Sequence, residues 1–139
     1  MVKETVRNVV KKYGTNNPFE IARSINIILI YANLNGIRGF YQYFKRNNII
    51  YIDEKLSDHD KKFVCAHELG HIFLHKKMNK IFMDANTNFN TEKFEVEANK
   101  FAVELLIDNN ELFEYREYSI NQIARIFGYS EKVIELKLK

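Results

Sequence analysis

The sequence predicts an α+β fold in which a small, mostly antiparallel three-stranded sheet packs on a long helix and further helices. Two observations carry that expectation. Three β-rich runs lie close together between Ile25 and Ile52, and helical periodicity fills the chain on both sides of them. A third observation bounds the size. At 139 residues, 46% of them hydrophobic, the chain fits one domain over 1–139 with its own core.

The elements follow in order. Glu4 to Tyr13 reads as a helix, with Val6, Val9 and Val10 at helical spacing and Gly14 as its stop. Asn17 caps a second helix, because Pro18 suits the first helical position and Phe19, Ile21, Ala22 and Ile25 follow at helical spacing. Strand-like runs come next at Ile25 to Asn33, Ile37 to Phe44 and Asn48 to Ile52. Turn signals at Asn35-Gly36 and Arg46-Asn47-Asn48 make a meander the simplest connection.

Ser57 is the expected N-cap of a long helix through His75, with Asp58 and Asp60 in the first turn, where the helix dipole favours negative charge. An irregular connection is expected from Lys76 to Lys93, rich in Asn and Thr and long enough to serve as a lid. A further helix spans Phe94 to Ile107. Two short helices about Gly128, capped by Ser119 and Ser130, give the tail at 120–139 the outline of a helix-turn-helix.

Composition excludes several classes. Cys65 is the only cysteine, so no internal disulfide can form and a reducing, cytoplasmic setting is expected. Cys65 itself reads as a small buried hydrophobe. The opening stretch MVKETVRNVVKKYG lacks the apolar core of a secretory signal, and INIILIYA is too short to cross a bilayer as a helix, so no membrane partner is expected. A formal charge of +3, with Lys and Glu interspersed, neither requires nor excludes an anionic partner.

The chemistry concentrates in CAHELGHIFLH, Cys65 to His75. Residues four apart on a helix share a face about 6 Å apart along the axis, so His67 and His71 can aim ring nitrogens at one ion. Glu68, about 100° further round, reaches beside that ion and can touch the water there. HExxH on a helix is the established zinc-peptidase pattern, and it needs a third ligand. His75 does not serve as that ligand. Three histidines on successive turns spread over about 12 Å, too far to converge on bonds of about 2 Å. Its expected place is at the helix end or supporting a ligand.

The third ligand is sought on KFEVEANKFAVELL. Phe94, Ala98, Phe101, Ala102 and Leu105 define its apolar face, and Glu95 borders that face where Ala98 and Ala102 permit close helix approach. Glu97 falls on the side of Lys100 and Glu104, expected to be solvated, and is the reserve candidate. Asn99, one turn beyond Glu95, is placed to hydrogen-bond the far nitrogen of a ligating histidine.

HELGH followed by EVEANKFAVELL resembles the ImmA/IrrE family of metallopeptidases, whose pattern pairs HExxH with a later E-x-x-A-[ND]-x-F-A helix. The similarity extends through NNPFEIA, IRGFYQYF, IIYIDEKL and SINQIARIFGYS. It implies a zincin-like fold, His67, His71 and Glu95 as zinc ligands, Glu68 as catalytic acid/base, and a phage- or mobile-element-type repressor as protein substrate. LLID, Leu105 to Asp108, departs from the LLMP common in relatives, without touching a proposed ligand.

The resulting expectation is a zinc endopeptidase, with manganese also able to occupy a two-histidine, one-carboxylate set. Its substrate would add as a strand beside Phe40 to Phe44. Eight tyrosines leave an oxyanion-stabilising residue unassigned. The alternatives are a DNA-binding regulator built on the 120–139 tail and a metal-bound interaction module without turnover. Direct DNA binding is not expected, because Glu131 and Glu135 on the would-be reading helix repel phosphates.

Overall fold

The structure, a computed structural model, describes the backbone at 1–85 and 91–139 and the side chains of 1–75 and 92–139. Its elements run α1 (Val2–Tyr13), α2 (Pro18–Ser24), β1 (Ile28–Ala32), β2 (Gly39–Phe44), β3 (Asn47–Asp53), α3 (Asp58–Ala85), α4 (Thr91–Leu106), α5 (Asn109–Phe113), α6 (Ile120–Phe127) and α7 (Glu131–Leu138). The fold is α+β, as the sequence predicts.

Local chemistry sets the first helix boundaries. Gly14 adopts the left-handed conformation at φ 70° and returns its N–H to the Val10 carbonyl, closing α1. The Asn17 side chain accepts the Phe19 N–H at 2.9 Å, and Pro18 opens α2. Ile21 and Ala22 then lie wholly out of solvent against α3.

The sheet departs from the expected meander. Its order is β1-β3-β2, with β3 antiparallel to β2 but parallel to β1. β2 and β3 form the anticipated hairpin, yet the turn falls on Lys45 and Arg46, both at positive φ (49° and 68°). β1 cannot pair with β2, because the 33–38 connection, through Asn35 at φ 53° and Gly36 at φ 92°, carries the chain past the place β3 later fills. Ile25 to Ile27, expected in the first strand, instead close α2 and turn, with Asn26 at φ 61°.

Ile50 and Ile52, each fully buried, face the helices with Leu29 and Tyr41. On the opposite face Phe40 stacks on Tyr51 with ring centroids 4.4 Å apart. Gly39 brings β2 directly onto α3. A Cβ there would collide with Val64 Cγ1 and lie 2.7 Å from the Tyr51 carbonyl oxygen.

Ser57 Oγ accepts the Asp60 N–H at 3.1 Å, starting α3 as expected. The helix does not end at His75. It leaves helical dihedrals there (φ −126°, ψ 20°) and then continues to Ala85. Most of the expected irregular connection is therefore helical backbone: 76–85 are rich in good helix formers such as Lys, Met and Ala. The remainder of the anticipated lid, at 86–90, lies outside the described residues.

α4 packs along α3 at a point of unusually close approach. A Cβ at Gly70 would stand 3.1 Å from both the Cα and the carbonyl oxygen of Ala98. The tail forms a second cluster around Val103, Ile107, Ile123, Ala124 and Ile134. Ser119 and Gln122 make a capping box on α6, and Ser130 caps α7. Asp108, at the LLID departure, caps the short α5 that sequence reasoning missed. The side of α4 expected to be solvated is covered by α7: Glu104 and Lys137 meet at 3.2 Å with side chains only 7% and 2% exposed.

Candidate metal centre

His67 and His71 project from successive turns of α3, with rings edge-on at a centroid separation of 4.8 Å. Glu95 reaches across from α4, its Oε1 3.4 Å from His67 Nε2 and its Oε2 2.6 Å from His71 Nε2. One donor atom from each of the three lies within 4.8 Å of the other two. The Gly70–Ala98 contact makes this reach possible, since it removes the side-chain layer that would hold the helices apart.

Each ring is held from behind. His67 Nδ1–H donates to Asn99 Oδ1 at 2.7 Å, the contact expected of Asn99. His71 Nδ1 lies 3.1 Å from His75 Nδ1, and His75 Nε2 lies 2.9 Å from Glu97 Oε1. Glu97, the reserve candidate, therefore points to His75 and away from the His67–His71–Glu95 group. His75 is buried, with Phe94 edge-on against its ring at 4.8 Å.

The donor set can hold a cation. Two imidazole nitrogens converge on one carboxylate, an arrangement served by ring N–H donors or by a metal ion held between the three groups. Hydrogen bonds from His67 and His71 hold the Glu95 carboxyl far below the usual carboxylate range. Burial pulls the His67 pKa down, but Glu95 and Glu68 outweigh it and leave the ring more basic than usual. Two nitrogens and one carboxylate oxygen are a donor set that suits a divalent metal ion such as zinc.

Glu68 is 6% exposed and stands beside the cluster, its Oε2 4.0 Å from His67 Nε2. Burial pushes its pKa up, while the two histidines pull the other way. The group opens on a cleft of about 240 Å³ that is also lined by Arg38 and Gly39, just before and at the start of β2, and by Phe63 and Val64. Arg38 and Gly39 were not singled out by sequence reasoning. The only hint was a glycine directly before an aromatic strand, which marks close backbone approach. Cys65 is fully buried and its thiol is pushed up to about 12 by burial and the Glu68 charge.

An α+β fold carrying HExxH on one helix and a carboxylate on the next defines a metallopeptidase-type domain. Residues 22–139 match the model of peptidase family M78, described as the IrrE N-terminal-like domain, and the chain belongs to that family. Among its relatives, "Uncharacterized immunity region protein 2" of Bacillus phage phi105 is 44% identical, over 99% of this chain and 89% of that protein. "Metallopeptidase ImmA" of Bacillus subtilis (strain 168) is 35% identical, over 99% of this chain and 83% of that one. A solved Mycobacterium tuberculosis transcriptional regulator shares the fold, with a TM-score of 0.65 at 14% identity over 99% of this chain. The chain spans 46% of that structure's length. No helix among the described residues is long and apolar enough to cross a membrane.

Proposed function

We propose that residues 1–139 form one zinc endopeptidase domain whose substrate is a helix-turn-helix repressor of the phage or mobile-element type. The observation that carries this reading is the convergence of His67, His71 and Glu95, with the buried Glu68 carboxylate beside them. The relatives' names agree with it, one a metallopeptidase and the other from a phage immunity region.

Zinc held by His67, His71 and Glu95 would supply a Lewis acid for the scissile carbonyl and make water a better nucleophile near neutral pH. Glu68 takes a proton from the attacking water and returns it to the leaving amine. Its raised pKa suits a carboxylate that must both accept and give up that proton. Asn99 orients His67 through the 2.7 Å hydrogen bond. The substrate runs as an added strand along β2, a sheet edge whose first residue, Gly39, lines the cleft. Manganese suits the same donors, and metal analysis of the purified protein distinguishes the two.

The test is to mix the zinc-loaded protein with a helix-turn-helix repressor of the phage or mobile-element type, such as one encoded in a neighbouring reading frame. One discrete cut is expected, absent with Glu68→Gln. An intact repressor, or equal cutting by the variant, would sink the proposal. Tight, salt-sensitive duplex binding without cleavage would favour a DNA-binding regulator instead.

A further inference from the structure

We infer that His75 and Glu97 act as a positioning relay that fixes His71 in the tautomer able to bind a cation. The inference rests on the metal-centre reading above and names residues outside the ligand set.

Hydrogen-bond polarity carries the argument. A carboxylate only accepts, so the 2.9 Å contact between Glu97 Oε1 and His75 Nε2 requires that nitrogen to donate. A neutral His75 then keeps its lone pair on Nδ1. The 3.1 Å contact between the two Nδ1 atoms needs one donor and one acceptor, so His71 Nδ1 must carry the proton. The remaining nitrogen, His71 Nε2, is the one that faces Glu95 at 2.6 Å: it donates to the carboxylate where no cation intervenes and would offer its lone pair to one held between them. Reverse any one bond and either a carboxylate must donate or His75 must become an imidazolium inside a site that is 3% exposed.

The geometry is specific to this pair. His75 is the residue at which α3 leaves helical dihedrals, one turn beyond His71. Phe94 stands edge-on against its ring, and the residue is 3% exposed. His67 uses a simpler device, the neutral Asn99 amide. The two ligating rings therefore differ: the charge of Glu97 reaches His71 through an intervening imidazole and increases its basicity toward a cation.

The test uses the full-length protein loaded with zinc and labelled with ¹⁵N. Chelator competition should show His75→Leu binding zinc about 10–100-fold more weakly than wild type, the usual loss when such support is removed. His75→Asn places an amide oxygen near the old Nδ1 position and should recover most of that loss. Glu97→Ala should fall between the two. In wild type, the His71 Nδ1 proton should appear as a protected downfield resonance, with a scalar coupling to His75 Nδ1 across the hydrogen bond. His75→Leu should abolish that resonance.

Equal zinc affinity in wild type and His75→Leu, or no rescue by His75→Asn, would overturn the relay while leaving the metal centre intact. Failure of the metal-centre reading looks different: wild type and every variant would bind no divalent ion, and both conclusions would fall.

Discussion

Gly70 on α3 packs against the backbone of Ala98 and the Cβ of Phe101 on α4, close to where Glu95 crosses to His67 and His71. A methyl group at position 70 would press on Ala98 backbone atoms at 3.1 Å, and backbone gives way only if the helices separate. Gly70→Ala is expected to cost about 1–3 kcal/mol in stability, the usual range for overpacking. It should weaken zinc binding as well, since it widens the gap that Glu95 spans. Thermal melts of the metal-free protein and chelator titration measure the two effects separately.

Glu68→Gln should retain zinc and lose cleavage by about 10²–10⁴-fold, the range that a positioned acid/base supplies. His71→Ala should lose both. Metal content and single-turnover cleavage, run side by side, check the pair; a Glu68→Gln protein stripped of metal would reassign Glu68 to the ligand set.

The Lys137–Glu104 ion pair ties α7 to α4, with Lys100 Nζ donating to the Leu136 carbonyl at 2.7 Å nearby. Lys137→Met leaves the buried Glu104 carboxylate with only Lys100, 4.0 Å from its other oxygen, and should destabilise the protein by about 3 kcal/mol, the low end for a broken buried pair. The double variant Lys137→Met with Glu104→Leu should recover most of that, because a buried pair costs nearly as much in desolvation as it returns. Urea denaturation of the three proteins decides it.

Tyr129 reports on the same tail. Its phenol is pushed up to about 12, from an ordinary 10, by burial and by the Asp60 charge. Because the folded pKa lies above the unfolded one, this contribution to stability is complete below about pH 10 and is lost as pH rises through about 12. Tyr129→Phe should flatten that part of the alkaline stability profile. An unchanged profile would mean that the ring is freely solvated.

Gly128 joins α6 to α7 at φ 77°, and a Cβ there would lie 2.9 Å from His59 Nε2, which donates to the Gly128 carbonyl. Gly128→Ala should cost about 1–2 kcal/mol for the left-handed backbone alone. His59→Ala in the same chain relieves the clash but not the backbone cost, so calorimetry on the double variant separates the two.

Much of this arrangement is legible in the sequence because it is local. Gly14, Asn17-Pro18, Ser57, Ser119 and Ser130 mark helix ends through their own side chains or backbone freedom, and the structure uses each of them so. The spacing of His67, Glu68 and His71 is likewise a property of one helix. Counting round α4 favours Glu95 over Glu97, and the structure directs the two carboxylates to different histidines. What escapes is non-local. Strand order depends on where a connection carries the chain, although the unbroken apolar run in β1 was a sign of parallel pairing. The face of α4 bearing Lys100 and Glu104 looks solvated until α7 is laid over it, and no local pattern announces that. His75 continues a helix through a break, which composition alone does not distinguish from a stop.

Gly39 lets strand β2 lie directly against Val64 of α3, so the open sheet edge sits at a set distance from the HExxH helix. On the function proposed above, a polypeptide threaded along that edge would meet Glu68 at a constant height whatever its sequence. Selectivity would then come from which stretch of a partner can unfurl and lie flat there, so that local melting of the target, more than any consensus around the cut, decides where the chain is opened.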